Sequence, residues 1–146
     1  MLKNRVVVRY RDGRKLKGFT WDFVPTKDVF HIADEKDEKK ITEIATKELK
    51  AVFFVRTFEG DKNHQPAYSL ESFKKVQGLK LRVTFFDGEI LYGTTNAYSP
   101  GRKAFFMLPA DKAGNNERVY VFADATDVIE PVQQDTAASV LTRSKA

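Results

Sequence analysis

The chain has 146 residues, no cysteine, and 25 Lys and Arg against 20 Asp and Glu, for a net charge of +5. Its apolar share of 42% is too rich for a disordered chain, and the lack of cysteine excludes a disulfide framework, a thiol nucleophile and a thiolate metal site. No apolar run nears the roughly 18 residues of a membrane helix, so no membrane partner is expected, and Met1 to Tyr10 lack a secretory leader's apolar stretch, which points to the cytoplasm.

Taken in chain order, the first elements read as short strands. Val6 to Tyr10 is β-branched and aromatic, and Asp12-Gly13 is a strong hairpin signal. A three-residue loop, Asp12-Gly13-Arg14, pairs Arg11 with Lys15, Tyr10 with Leu16 and Arg9 with Lys17. That register puts Arg9, Arg11, Lys15 and Lys17 on one face and the apolar residues on the other, with Gly13 in a bulge. The next strand runs from Leu16 towards Phe23, and Gly18 marks a sharp bend. Val24 to Asp28 is a loop. Val29 to Ile32 and Ile41 to Ala45 are the third and fourth strands, flanking a solvated tip at Asp34 to Glu38. Thr46 to Leu49 reads as one helical turn, and Ala51 to Val55 as the fifth strand.

The linker, 57–78, begins with the turn-rich stretch Glu59 to Asn63. A short helix is expected at Ser69 to Val76, where Leu70, Phe73 and Val76 recur at helical spacing. After it the pattern returns. Val6 to Ala33 aligns without a gap with Leu81 to Leu108, and eight of the 28 positions are identical, among them Asp12/Asp87, Gly13/Gly88, Gly18/Gly93 and Pro25/Pro100. Identities on turn and core residues in constant register indicate an internal repeat. The fold expected is all-β: two tandem SH3-like or Sm-like five-stranded small barrels, 1–56 and 79–132, with a short helix in the linker. The tail, 133–146, is expected to be disordered.

The two copies differ in surface chemistry. Where the first hairpin carries Arg9, Arg11, Lys15 and Lys17, the second carries Thr84, Phe86, Ile90 and Tyr92. The apolar set reads as an interface, covered by the first copy, the linker or a second chain. The cationic set, with Trp21, reads as a candidate anion or nucleic-acid footprint, since cations meet phosphates while an aromatic ring stacks bases. A solvated strand face with gatekeeper charges is the plainer alternative.

Chemistry has few candidates. His31 aligns with Phe106, as a strand residue would, and His64 lies in the linker. No metal-ligand spacing, phosphate loop or nucleophile elbow is present, so no metal, cofactor or enzymatic activity is expected. Arg5 and Arg9 match the R-x-x-x-R of cyclic di-GMP-binding barrels, but the D/N-x-S-x-x-G element is missing. The expected function is a non-catalytic binding or adaptor module. It would meet a protein partner, or a second copy through the second hairpin. The alternative is RNA or DNA binding through the basic first hairpin.

The runs Asp12 to Gly18, Phe23-Val24-Pro25 and Phe30-His31-Ile32, with Phe105 to Asp111 and Asn115 to Arg118, resemble an uncharacterised family of bacterial domains. These occur alone or attached to signalling modules. The resemblance spans Val6 to Val132. It implies a bacterial cytoplasmic protein, an accessory in signalling or regulation, and carries no activity with it.

Overall fold

A computed structural model describes residues 3–60, 67–69, 73, 78–132 and 140–142. The strands are β1 (Asn4–Tyr10), β2 (Lys15–Thr20), β3 (Val29–Asp34), β4 (Ile41–Ala45), β5 (Leu49–Val55), β6 (Ala67–Ser69), β7 (Leu79–Phe85), β8 (Ile90–Thr95), β9 (Ala104–Pro109), β10 (Asn116–Phe122), β11 (Thr126–Pro131) and β12 (Val140–Thr142). Single 3₁₀ turns at Thr46–Glu48 and Ala123–Ala125 lead into β5 and β11. Of the expected linker helix, Ser69 to Val76, only Ser69, which ends β6, and Phe73 are described. Within the tail expected to be disordered, β12 pairs with β6.

The all-β expectation holds, but two separate barrels are not what forms. Ten strands share one antiparallel sheet in the order β11-β7-β8-β9-β10-β5-β1-β2-β3-β4. The cause is β5, which pairs with β1 on one side and β10 on the other. All seven residues of β5 are buried. An uninterrupted apolar run such as Ala51 to Val55 fits a strand covered on both faces.

The core divides accordingly. One cluster gathers Val6, Val8, Phe30, Ile32, Ile44, Val52 and Phe54, with Phe106, Tyr120 and Phe122 from β9 and β10. The other gathers Leu81, Val83, Phe85, Leu91, Phe105, Met107, Val119 and Val121, with Val7, Ala51, Phe53 and Val55 from β1 and β5. Alternate residues of β5 thus feed two different cores. Each half completes the core of the other through the strand pair that joins them.

Local geometry repeats along the chain. Asn4 pairs with Thr20 and Leu79 with Thr95; Gly18 pairs with Asp34 and Gly93 with Pro109. Gly18 and Gly93 sit where β2 and β8 approach β3 and β9 closely. A Cβ built on Gly18 would lie 2.2 Å from the Ala33 carbonyl oxygen, and one on Gly93 2.5 Å from that of Leu108. Only a residue without a side chain allows that approach.

The first hairpin corrects the expected register. The loop has three residues, but they are Arg11-Asp12-Gly13: the Tyr10 N–H donates to the Arg14 carbonyl, and Val8 pairs with Leu16 and Arg9 with Lys15. A shift of two residues preserves the faces, because side chains alternate with a period of two. Gly13 takes φ +96° and its counterpart Gly88 +92°. Asp12 accepts a hydrogen bond from the Arg14 N–H at 3.0 Å, and Asp87 one from Glu89 at 2.9 Å. The identical Asp-Gly pairs therefore build identical turns.

Candidate functional site

The cationic residues of the first hairpin do not form one open platform. Arg9 is half-buried, its guanidinium 5.9 Å from the Phe53 ring centroid. Lys17 donates through Nζ to the Phe58 carbonyl at 2.8 Å. Lys15 is exposed. Arg11 stands at the end of β1, 3.8 Å from the Asp124 carboxylate. Trp21 lies elsewhere, stacked on His31 with centroids 6.4 Å apart.

The second half's hairpin turn reaches the first half instead. Lys50, 3% exposed, points its ammonium at the Asp87 carboxylate (2.7 Å) and at that of Glu89, with the Phe85 ring 4.6 Å away. Burial pushes the Asp87 carboxyl up. The hydrogen bonds from Lys50 and from the Glu89 backbone outweigh it and hold the group below the usual range. Of the expected interface residues, Phe86 is 71% and Ile90 37% exposed, while Thr84 and Tyr92 are half-buried. Tyr92 packs on Phe73. Phe86 and Ile90 therefore remain uncovered among the described residues.

The cations that do converge come from both halves. A cleft of about 400 Å³ opens at the junction. The first half contributes Arg11, Lys27 and Lys47, and the second Arg102 and Lys103. Its apolar wall is Phe23, Tyr120 and Phe122, and its acids are Asp28 and Asp124. Lys27 follows a turn closed by its own N–H on the Val24 carbonyl at 3.0 Å. Arg102 is held by Nε on the Ala104 carbonyl at 3.1 Å, and Lys103 by its backbone carbonyl, which accepts from Ala123 at 2.8 Å. The Phe23 ring packs edge-on against Tyr120 at 5.2 Å, and Tyr120 against Phe122 at 5.2 Å. Burial pushes the Tyr120 hydroxyl up, against a smaller downward pull from the Arg102 charge.

Sequence reasoning singled out Arg11 of these five cations and missed the others. A signal was available. Lys27 and Arg102 stand at the same place in the two aligned segments, so the same loop offers a cation in both halves.

A second polar cluster sits on the face of β3 and β4. His31 Nδ1 lies 2.7 Å from Asp22, Nε2 3.9 Å from Glu43, and Trp21 covers the ring. Burial pushes the Asp22 carboxyl up, but the His31 side-chain and backbone hydrogen bonds bring it below its ordinary value. The aligned position in the second half is Phe106, which packs on Tyr120. A polar pair thus occupies one half where the other has a core contact.

No group of three or more metal-ligating side chains occurs among the described residues. Nor does a helix long and apolar enough to cross a membrane. A protein-family model matches residues 2–133. The chain belongs to that family, a family of unknown function (DUF6982). Comparison with curated proteins found no match, and neither did comparison with solved structures.

Proposed function

We propose that this DUF6982 chain is a non-catalytic binding module whose junction cleft grips a single-stranded nucleic acid. The observation that carries it is the convergence of five cations on three aromatic rings in one cleft. Cations neutralise phosphates, and exposed ring edges and faces accept bases without regard to sequence. Two carboxylates, Asp28 and Asp124, lower the local excess to three positive charges (five minus two). Binding of this kind weakens as salt rises. Titration of the full chain with a labelled oligonucleotide, over a salt series, tests it. A steep loss of affinity with salt is expected, and Arg102→Glu with Lys103→Glu should abolish binding. No binding at low salt refutes the reading.

The same proposal includes the architecture. The chain is read as two tandem small barrels fused edge to edge, a duplicated unit rather than ten unrelated strands. Matching strand order in β1–β5 and β7–β11, matching registers and matching Asp-Gly turns support it. A bacterial, cytoplasmic setting in signalling or regulation accords with the resemblance noted from sequence.

A protein partner is the second reading, favoured by the uncovered Phe86, Ile90 and Val128 on the β11-β7-β8 side of the sheet. Phe86→Ser with Ile90→Ser would then reduce capture of the partner, or self-association, and leave oligonucleotide binding unchanged.

A further inference from the structure

The ten-stranded sheet has two borders, β11 and β4, and every strand between them is paired on both sides. β4 and β10 hold the same place in the two halves: each pairs with the strand before it and runs into a single 3₁₀ turn. β10 is closed on its far side by β5, whereas among the described residues β4 ends the sheet. One edge of this kind is thus seen closed and its counterpart open.

In an antiparallel sheet, successive residues turn their backbone N–H and C=O to opposite sides. The Lys40 carbonyl accepts from the Asp34 N–H, and the Thr46 N–H donates to the Asp28 carbonyl, both at 2.9 Å and both towards β3. Thr42 and Ile44 share that phase. Ile41, Glu43 and Ala45 therefore present their N–H and C=O to the border. Glu43 pairs with His31 as Tyr120 pairs with Phe106, and on β10 Tyr120 stands opposite Val52 of β5. A row of such groups is a template for another strand, and edges kept from pairing carry proline, lysine or a bulge. β4 has no proline, its one charged side chain is Glu43, and its register on β3 does not shift. It has five residues, and the β5–β10 joint uses five pairs.

The side chains define the strand that fits. Laid on β4 as β5 lies on β10, an incoming strand sets one residue opposite Glu43, the neighbours of that residue beside Ile44 and Thr42, and the next but one opposite Ile41. The Glu43 side chain is 70% exposed and among the described residues meets only His31, at 3.9 Å. A Lys or Arg opposite it makes a cross-strand ion pair. Ile41, an exposed apolar side chain, takes an apolar partner. Lys39 and Lys40, both exposed just beyond it, favour an acid where the strand leaves.

We propose that β4 is a docking edge for an extended segment of another protein, added as an antiparallel strand with a basic residue opposite Glu43 and an apolar one opposite Ile41. In strand addition the main chain supplies affinity and alternate side chains supply specificity. Docking here depends on neither the junction cleft nor the Phe86 surface.

The test uses the full-length ¹⁵N-labelled chain and the end-blocked peptide Thr-Val-Lys-Val-Ile-Glu-Ser at millimolar concentration, with amide hydrogen exchange along β4 as the readout. The peptide should slow exchange at Ile41, Glu43 and Ala45 and leave Thr42 and Ile44 as they were. A methyl on the backbone nitrogen of the peptide's lysine, which faces β4, should abolish the effect; one on the valine after it, which faces away, should not. Glu43→Lys should weaken the peptide roughly fivefold, the upper range of one cross-strand charge pair, and a peptide with glutamate in place of lysine should recover the loss. Should Glu43→Lys fail to fold, Glu43→Gln serves for the first comparison, and the two methylated peptides need no variant. Unchanged exchange at the three amides, equal binding of the two methylated peptides, or no loss of the lysine peptide in the Glu43 variant refutes the edge. Protection of the same amides that rises with chain concentration, without peptide, gives the border to a second copy and overturns the proposal as well.

Discussion

Lys50 offers the sharpest test of how the halves hold together. Its side chain is 4% exposed, and its ammonium meets Asp87 and Glu89 from the second hairpin turn. Asp87→Asn combined with Glu89→Gln removes both counter-charges and keeps the shapes. A buried ammonium is then left without compensation, which typically costs about 3–5 kcal/mol. Lys50→Met instead removes the whole charge system while filling the site above Phe85, and exchanges of that kind are often neutral or stabilising. Urea unfolding monitored by Trp21 fluorescence gives both values, provided that m is unchanged. The pH dependence adds a second check. The folded Asp87 carboxyl is lowered, so its contribution is present above the ordinary carboxylate range and is lost as pH falls through the lowered value. The wild-type chain should weaken across that acid window more than Lys50→Met does. The reasoning fails if the double carboxamide variant lies within about 0.5 kcal/mol of wild type, the spread of a neutral surface change.

Gly18→Ala must push a methyl into the Ala33 carbonyl, so it should cost about 3 kcal/mol, whereas Gly13→Ala meets open space and suffers from its positive φ alone, about 1–2 kcal/mol; calorimetric melting ranks the two. Phe86→Ser, at an exposed site, should change stability by no more than about 0.5 kcal/mol, read in the same experiment, and should lower concentration-dependent light scattering if that surface self-associates. Tyr120 is buried and its hydroxyl raised, so stability it contributes is held up to the ordinary tyrosine range and lost as pH rises beyond it; burial raises the Tyr10 hydroxyl as well, so an alkaline ultraviolet titration should show late tyrosinates, of which Tyr120→Phe removes one.

The sequence makes turns and faces legible because both depend on neighbours. Gly13 and Gly88 are set by their Asp-Gly pairs, and the alternation of Val6, Val8 and Tyr10 against Val7, Arg9 and Arg11 fixes the faces whatever the loop's register. Gly18 stood out as a position needing a glycine, and its close approach to Ala33 gives the reason. What stayed hidden was the meeting of β5 with β10, a pairing between distant segments. The run Ala51 to Val55 did hint at it, since a strand wet on one face would alternate. The matching run, Val128 to Val132, includes Glu130 and Pro131. The junction cleft depends on that same pairing, so Lys47 and Lys103 could not be joined from sequence. Arg9 was misplaced for a related reason: its face is met by Phe53 and the Asp87 turn, which a single copy does not foretell.

The edge position of β11 has a consequence for growth of the sheet. A joint between unlike edges, once made, can in principle be made again, each molecule offering its free β11 to the free β4 of the next, and such contacts extend without limit. Pro131 brings no amide hydrogen to that border, and Asp127 and Glu130 place charge beside it. Proline and charge on an outermost strand discourage further pairing. Repetition of the β5–β10 kind of joint between molecules is thereby opposed at the β11 border.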